Sequence, residues 1–176
     1  ADIFGSVLHC AAMNSEISSE IMSLLIMKGV HVNVLNKDGE TPLHNYCSNK
    51  KLSLSHLQFL VENDCDPNIR DLQGITPLMY FCVDENVDIS CLLYLINNMK
   101  SINSVAEGGN SALILASKNE MITEEILEYM ILSCGCYSEL FCEDSNSVSS
   151  LIFMHENKLI SDDFIVEMCK RQRNLD

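Results

Sequence analysis

The 176-residue sequence predicts an all-α fold built as an array of similar helix-turn-helix units. Three observations carry that prediction. First, a phrase recurs: Asp38-Gly39-Glu40-Thr41-Pro42-Leu43-His44, then Gly74-Ile75-Thr76-Pro77-Leu78, then Gly109-Asn110-Ser111-Ala112-Leu113, with a degraded copy, Ser6-Val7-Leu8-His9, near the start. Second, the threonine-like position falls at 6, 41, 76 and 111, a constant step of 35 residues. Third, each copy leads into two apolar runs closed by turn-forming residues. A fixed period in this range marks stacked units, none of which can bury its apolar face alone.

Each unit has a readable order. Asn36-Lys37-Asp38-Gly39 and Asp71-Leu72-Gln73-Gly74 are turn chemistry, with Gly free to take positive φ. Thr41 and Thr76 are placed to cap a helix whose first residue is Pro42 or Pro77, where no backbone N–H is needed. Short inner helices follow at Leu43 to Cys47, Leu78 to Cys82 and Leu113 to Ser117. After a polar gap come outer helices at Ile21 to Met27, His56 to Glu62, Leu92 to Ile96 and Ile126 to Leu132. Lys28-Gly29, Asn63-Asp64, Asn97-Asn98 and Cys134-Gly135 end them, since Gly, Asn and Asp accept the left-handed cap. Leu43 and Leu78, at matched phase, are expected in the core.

Units at about 1–35, 36–70, 71–105 and 106–143 are expected, with an irregular, capping unit at 144–176. In that last unit Ser149-Ser150-Leu151-Ile152 takes the Thr-Pro-Leu-His phase, with helices from about Ser150 to Asn157 and from Ser161 to about Lys170. The first unit has lost its turn, because Phe4 stands where Gly39 stands in the second. Ala1-Asp2-Ile3 without a leading Met reads as a cut or processed start.

The Thr-Pro-Leu-His phrase, the paired helices and closing segments such as Asp66-Pro67-Asn68 and His31-Val32-Asn33 resemble the ankyrin repeat. The resemblance covers most of residues 1 to about 157 and implies an ankyrin-repeat solenoid. The sequence departs from the pattern in period, 35 against ~33 residues. The extra length falls between the helices, at 13–19, 48–54, 83–89 and 118–124. Tyr46 and Phe81 replace the first residue of the usual Ala-Ala pair. Thr41-Pro42-Leu43-His44-Asn45-Tyr46-Cys47-Ser48, with long inter-helix loops and few Ala and Gly, resembles the ankyrin repeats of poxviruses.

Composition narrows the function classes. The net charge of −14 argues against nucleic acid and anionic membrane, where clustered Lys and Arg are needed. The one basic cluster, Lys170-Arg171-Gln172-Arg173, reads as a solvated helix end. No apolar stretch approaches the ~20 residues of a membrane helix. Nine scattered cysteines fit reduced, buried thiols, and hence a cytoplasmic protein, better than a disulfide framework.

No catalytic, cofactor or metal set is read from the sequence. His9 and His44 share a repeat position, but Met79 and Ile114 follow them there. The resemblance gives such a His a hydrogen bond to the neighbouring turn. Cys134-Gly135-Cys136 with Cys142 lacks the paired spacing of a structural zinc site, and a fourth ligand would have to come from His155 or elsewhere. Asp84, Glu85 and Asp88 read as a solvated loop.

A protein-binding module therefore remains. The ankyrin resemblance places partner contacts on the turn tips and the concave face of the inner helices. In this sequence those positions are Lys37, Asp38, Glu40, Ser48 and Asn49; Leu72, Gln73, Ile75, Val83 and Asp84; and Glu107, Asn110, Lys118 and Asn119. Leu72, Ile75 and Val83 are apolar where the repeat points to solvent, and exposed apolar clusters mark interfaces. The alternative is that Leu72 and Ile75 pack along the row of turns. Asp38, Glu40 and Glu107 would steer a basic partner.

The poxvirus resemblance implies more. It implies a host-range or immune-evasion factor that grips a host defence protein in the host-cell cytoplasm. It also implies delivery to a cullin-based ubiquitin ligase through a C-terminal F-box-like segment, with this chain as the substrate-binding, N-terminal part of a longer protein. A cellular ankyrin scaffold or an enzyme regulator without ligase recruitment are the alternatives.

Overall fold

The repeat phrase becomes structure through its caps. Thr41 accepts the His44 N–H on its hydroxyl, His44 reaches back to the Thr41 N–H, and Pro42 takes the first helical position. Ser111 caps its own helix in the same way, accepting the Ile114 N–H. The computed structural model describes residues 3–14, 19–49, 53–135, 144 and 148–173. Among these there are ten helices and no strand, with an isolated bridge pairing Val105 and Ser111. The fold is an ankyrin-repeat solenoid.

The helices are α1 (Ile3–Met13), α2 (Ser19–Met27), α3 (Pro42–Cys47), α4 (Leu54–Glu62), α5 (Pro77–Val83), α6 (Ile89–Asn98), α7 (Ala112–Lys118), α8 (Glu124–Ser133), α9 (Ser150–Glu156) and α10 (Asp162–Arg173). Inner and outer helices alternate as expected. The outer ones begin two or three residues earlier than expected, because polar residues at or just before their starts set the boundary. Asp88 caps α6, for instance, by accepting the Ser90 and Cys91 N–H groups. The helix α1 runs through the position where its unit lacks a turn.

The chain divides into two compact units. The first comprises 1–81 and 88–100, and the second 82–87 and 101–176. In the first, α1 packs on α3 and α2, and α4 on α6. Its core includes Leu8, Leu43, Leu57, Leu60, Leu78, Phe81, Leu92 and Leu95, all buried. In the second, α7 packs on α8 and α9, and α10 on α9. Leu113, Ile114, Leu127, Met130, Ile131 and Met154 fill that core.

Two departures from the ankyrin pattern have structural reasons. Tyr46 is buried, and its hydroxyl donates to the Ser53 carbonyl and accepts the Ser53 N–H, both at 2.7 Å. It thereby anchors the far end of the long inter-helix loop. Phe81, at the matched position, is fully buried and fills core volume. The basic cluster is more than a solvated end: Arg171 pairs with Glu128 of α8 and with Glu167, each at 2.9 Å, tying α10 to α8.

Candidate partner-binding site

The turn tips are built by side chains that replace backbone partners. Asn36 Oδ1 accepts the Asp38 and Glu40 N–H groups, each at 2.9 Å. Asp71 Oδ1 accepts those of Gln73 and Ile75 at 2.9 and 2.8 Å. Each turn closes with a backbone bond, Gly39 N–H to Asn36 O and Gly74 N–H to Asp71 O. Gly39 sits at φ +78° and could carry no side chain: an added Cβ would lie 2.8 Å from the Leu72 nitrogen. Successive tips join there, because the Leu72 N–H donates to the Asp38 carbonyl at 3.1 Å.

Three ladders hold neighbouring repeats in register. His9 bonds the Glu40 carbonyl at 2.9 Å and His44 the Ile75 carbonyl at 3.1 Å, the role expected of this position. Asn33, Asn68 and Asn103 close the outer side: Asn33 donates to Asp64 O, Asn68 accepts the Lys100 N–H, and Asn103 donates to Gly135 O. The third ladder runs at the ends of the inner helices. Asn49 donates to Met13 O. Asn119 donates to the Cys82 and Asp84 carbonyls at 3.0 and 2.8 Å. Asn157 donates to those of Ser117 and Asn119 at 3.3 and 3.1 Å. The repeat phase that puts Asn at 14, 49, 119 and 157 was visible in the sequence and went unused.

The fourteen expected contact positions sort accordingly. Lys37, Asp38, Gln73 and Glu107 are exposed at turn tips, and Ser48 is exposed beyond α3. Leu72 is 72% and Val83 54% exposed, so these two apolar side chains do face solvent. Ile75 is half-buried, and its carbonyl receives the His44 bond. Glu40 is internally committed, accepting from Asn36 and from the Tyr80 hydroxyl. Asn49 and Asn119 are ladder residues. Asp84 accepts the Asn86 N–H. Lys118 is held by Asp144 at 3.2 Å and Asn110 at 3.3 Å, and lies 4.1 Å above the Phe153 ring.

Within the second unit, Val83, Lys118 and Asn119 come together around a cavity of about 580 Å³. Cys82, Leu115, Met121, Glu85 and Glu120 complete its lining. Glu85, Glu120 and Met121 were not anticipated. Glu85 and Glu120 stand 35 residues apart, the repeat step, so their matched phase was present in the sequence; that they and Met121 line one cavity beside the ends of α5 and α7 is set by the fold.

Cys47, Cys65, Cys82 and Cys91 are buried, whereas Cys10 is exposed and Cys134 and Cys169 are half-buried. Burial pushes Cys65 and Cys82 up to about 12 and Cys91 up to about 11, so they stay protonated and unreactive. Among the described residues no cluster of His, Cys, Asp and Glu is arranged to hold a metal. His155 bonds Asp162 at 2.8 Å, while Cys136 and Cys142 of the sequence cluster lie outside the described residues. Among the described residues no helix is long and apolar enough to cross a membrane.

A family model for ankyrin repeats in three copies matches residues 2–71 and 45–140, most of the chain. The chain belongs to the ankyrin-repeat family. No curated protein matches it. Ankyrin repeats are protein-protein interaction modules and are generally non-enzymatic, and the array presents its exposed tip residues in that setting.

Proposed function

We propose that this ankyrin array captures a partner protein through its turn tips and the C-terminal ends of its inner helices. The observation that carries the reading is the exposure of Leu72 and Val83. Both are large apolar side chains more than half open to solvent, at the positions where an ankyrin repeat makes contacts. Exposed acids, Asp38 and Glu107 among them, and the net charge of −14 favour a basic partner and speed encounter with it.

The resemblance of the Thr41-to-Ser48 phrase to poxvirus repeats supports a finer reading. On that reading the partner is a host defence protein in the host-cell cytoplasm, the role is host range or interferon antagonism, and a longer form of the protein recruits a cullin-based ligase.

Affinity purification from interferon-treated cells, read by mass spectrometry, tests both levels. The chain should recover a defence protein that a Leu72→Ser/Ile75→Ser/Val83→Ser variant does not. Ile75 is half-buried, so a Leu72→Ser/Val83→Ser variant with an unchanged melting temperature controls for folding. Unchanged recovery by the double variant would refute the tip site. Recovery of a cullin with the longer protein is the expected sign of ligase recruitment, and its absence there would remove the adaptor role.

A further inference from the structure

The cavity in the second unit has a composition that restricts what can fill it. Half of its lining is apolar: Cys82, buried, and Leu115, half-buried, with Val83 and Met121 each more than half exposed. Asn119 braces it, donating to Cys82 O and Asp84 O while its Oδ1 accepts the Met121 N–H at 2.8 Å. The two loops that follow α5 and α7 are thus fixed to each other by one side chain. Its volume of about 580 Å³ lies within the range of sites that accept a bulky group.

The charge at the mouth is one-sided. Glu85 and Glu120 both line it and are exposed, and neither has an ion-pair partner among the described residues. Lys118 also lines it, but its ammonium is already engaged by Asp144, whose side chain is 3% exposed, by Asn110 and by the face of Phe153. A cation held on three sides by its own fold does not neutralise the two glutamates. Water-facing apolar walls ringed by uncompensated carboxylates fit an apolar side chain that arrives with cations beside it.

We propose that this groove takes an apolar anchor residue, such as Leu, Met or Phe, from a partner segment that carries Lys or Arg next to the anchor. This deepens the protein-binding reading and rests on it. The apolar anchor removes the Val83 and Met121 surfaces from water, and the flanking cations meet Glu85 and Glu120. Acidic segments and nucleic acid are repelled by the same carboxylates.

The whole chain, used as bait for a random peptide display library, tests this. Enriched peptides should carry an apolar residue beside Lys or Arg. A synthetic peptide of the enriched sequence should bind more weakly as salt rises. Glu85→Lys/Glu120→Lys should weaken it roughly tenfold or more, with the melting temperature unchanged because both glutamates are exposed. Met121→Ser should weaken it while leaving the salt dependence intact. Enrichment of acidic peptides, no enrichment, or equal affinity in the charge-reversed variant would overturn the groove.

The two readings fail separately. If partner capture requires Leu72 but charge reversal leaves peptide affinity unchanged, the groove falls and the tip reading stands. If the peptide behaves as described but Leu72→Ser retains every captured protein, the groove stands and the tip reading falls.

Discussion

His44 is held as a neutral imidazole by what surrounds it. Its Nδ1 faces the Thr41 N–H at 3.1 Å and must accept, so Nε2 carries the proton and donates to the Ile75 carbonyl. Burial lowers its pKa below the ordinary 6.5, against the raising effect of the Ile75 bond and of nearby Asp71 and Glu40. The sign follows. Between the lowered folded value and 6.5 the unfolded chain binds a proton that the folded chain refuses. The contribution is complete above 6.5 and is lost as pH falls below it, by at most about 1.4 kcal/mol per pH unit. Urea midpoints at about pH 7 and about pH 5 should therefore fall more for wild type than for His44→Gln. Equal falls would show that His44 titrates normally. Asn119 offers a second residue-scale prediction. Its three bonds lie at a repeat junction, and Asn119→Ala leaves the Cys82 and Asp84 carbonyls without this donor. A loss of roughly 1–3 kcal/mol in urea unfolding is expected. No measurable loss would mean that water replaces the amide.

At the scale of elements, the turn depends on one glycine more than another. Gly39 and Gly29 both have positive φ, +78° and +83°. A methyl group at Gly29 meets nothing within 4 Å, whereas at Gly39 it meets the Leu72 nitrogen at 2.8 Å. Gly29→Ala should cost about 1–2 kcal/mol, the left-handed strain alone. Gly39→Ala should cost more, because the bond from Leu72 N–H to Asp38 O must also shift. Equal losses in chemical denaturation would mean that the tips are not joined as described. The helices were legible because Thr-Pro and Asp-x-x-Gly punctuation recurs in phase with the apolar runs. Their starts were less legible: Ser53, Asp88 and Thr123 are polar, and an apolar period cannot mark them. The exposure of Leu72, at a turn tip, and of Val83, at the end of α5, was legible through the ankyrin resemblance, which points those positions to solvent. That Glu40, Asn49, Lys118 and Asn119 would be spent on internal bonds was not, since each has a partner 26 to 40 residues away in sequence. Glu85 and Glu120 repeat at the 35-residue step and so were legible as a pair, but that they and Met121 line one cavity was not, because it depends on how the two loops pack.

For the whole molecule, the proposed function has the turn tips and inner-helix ends meeting a partner protein while the outer helices serve the stack. The ladders of His and Asn side chains fix the tips in place before any partner arrives, so binding should order little and bury much. The net charge of −14 supports the proposal of a basic partner. Hydrogen-deuterium exchange of the chain, free and bound to its captured partner, tests this most directly. Added protection should fall on 37–40, 72–75, 83–85 and 118–121, with the outer helices α2, α4, α6 and α8 unchanged. Protection confined to those outer helices, with the tips exchanging as in the free chain, would contradict it.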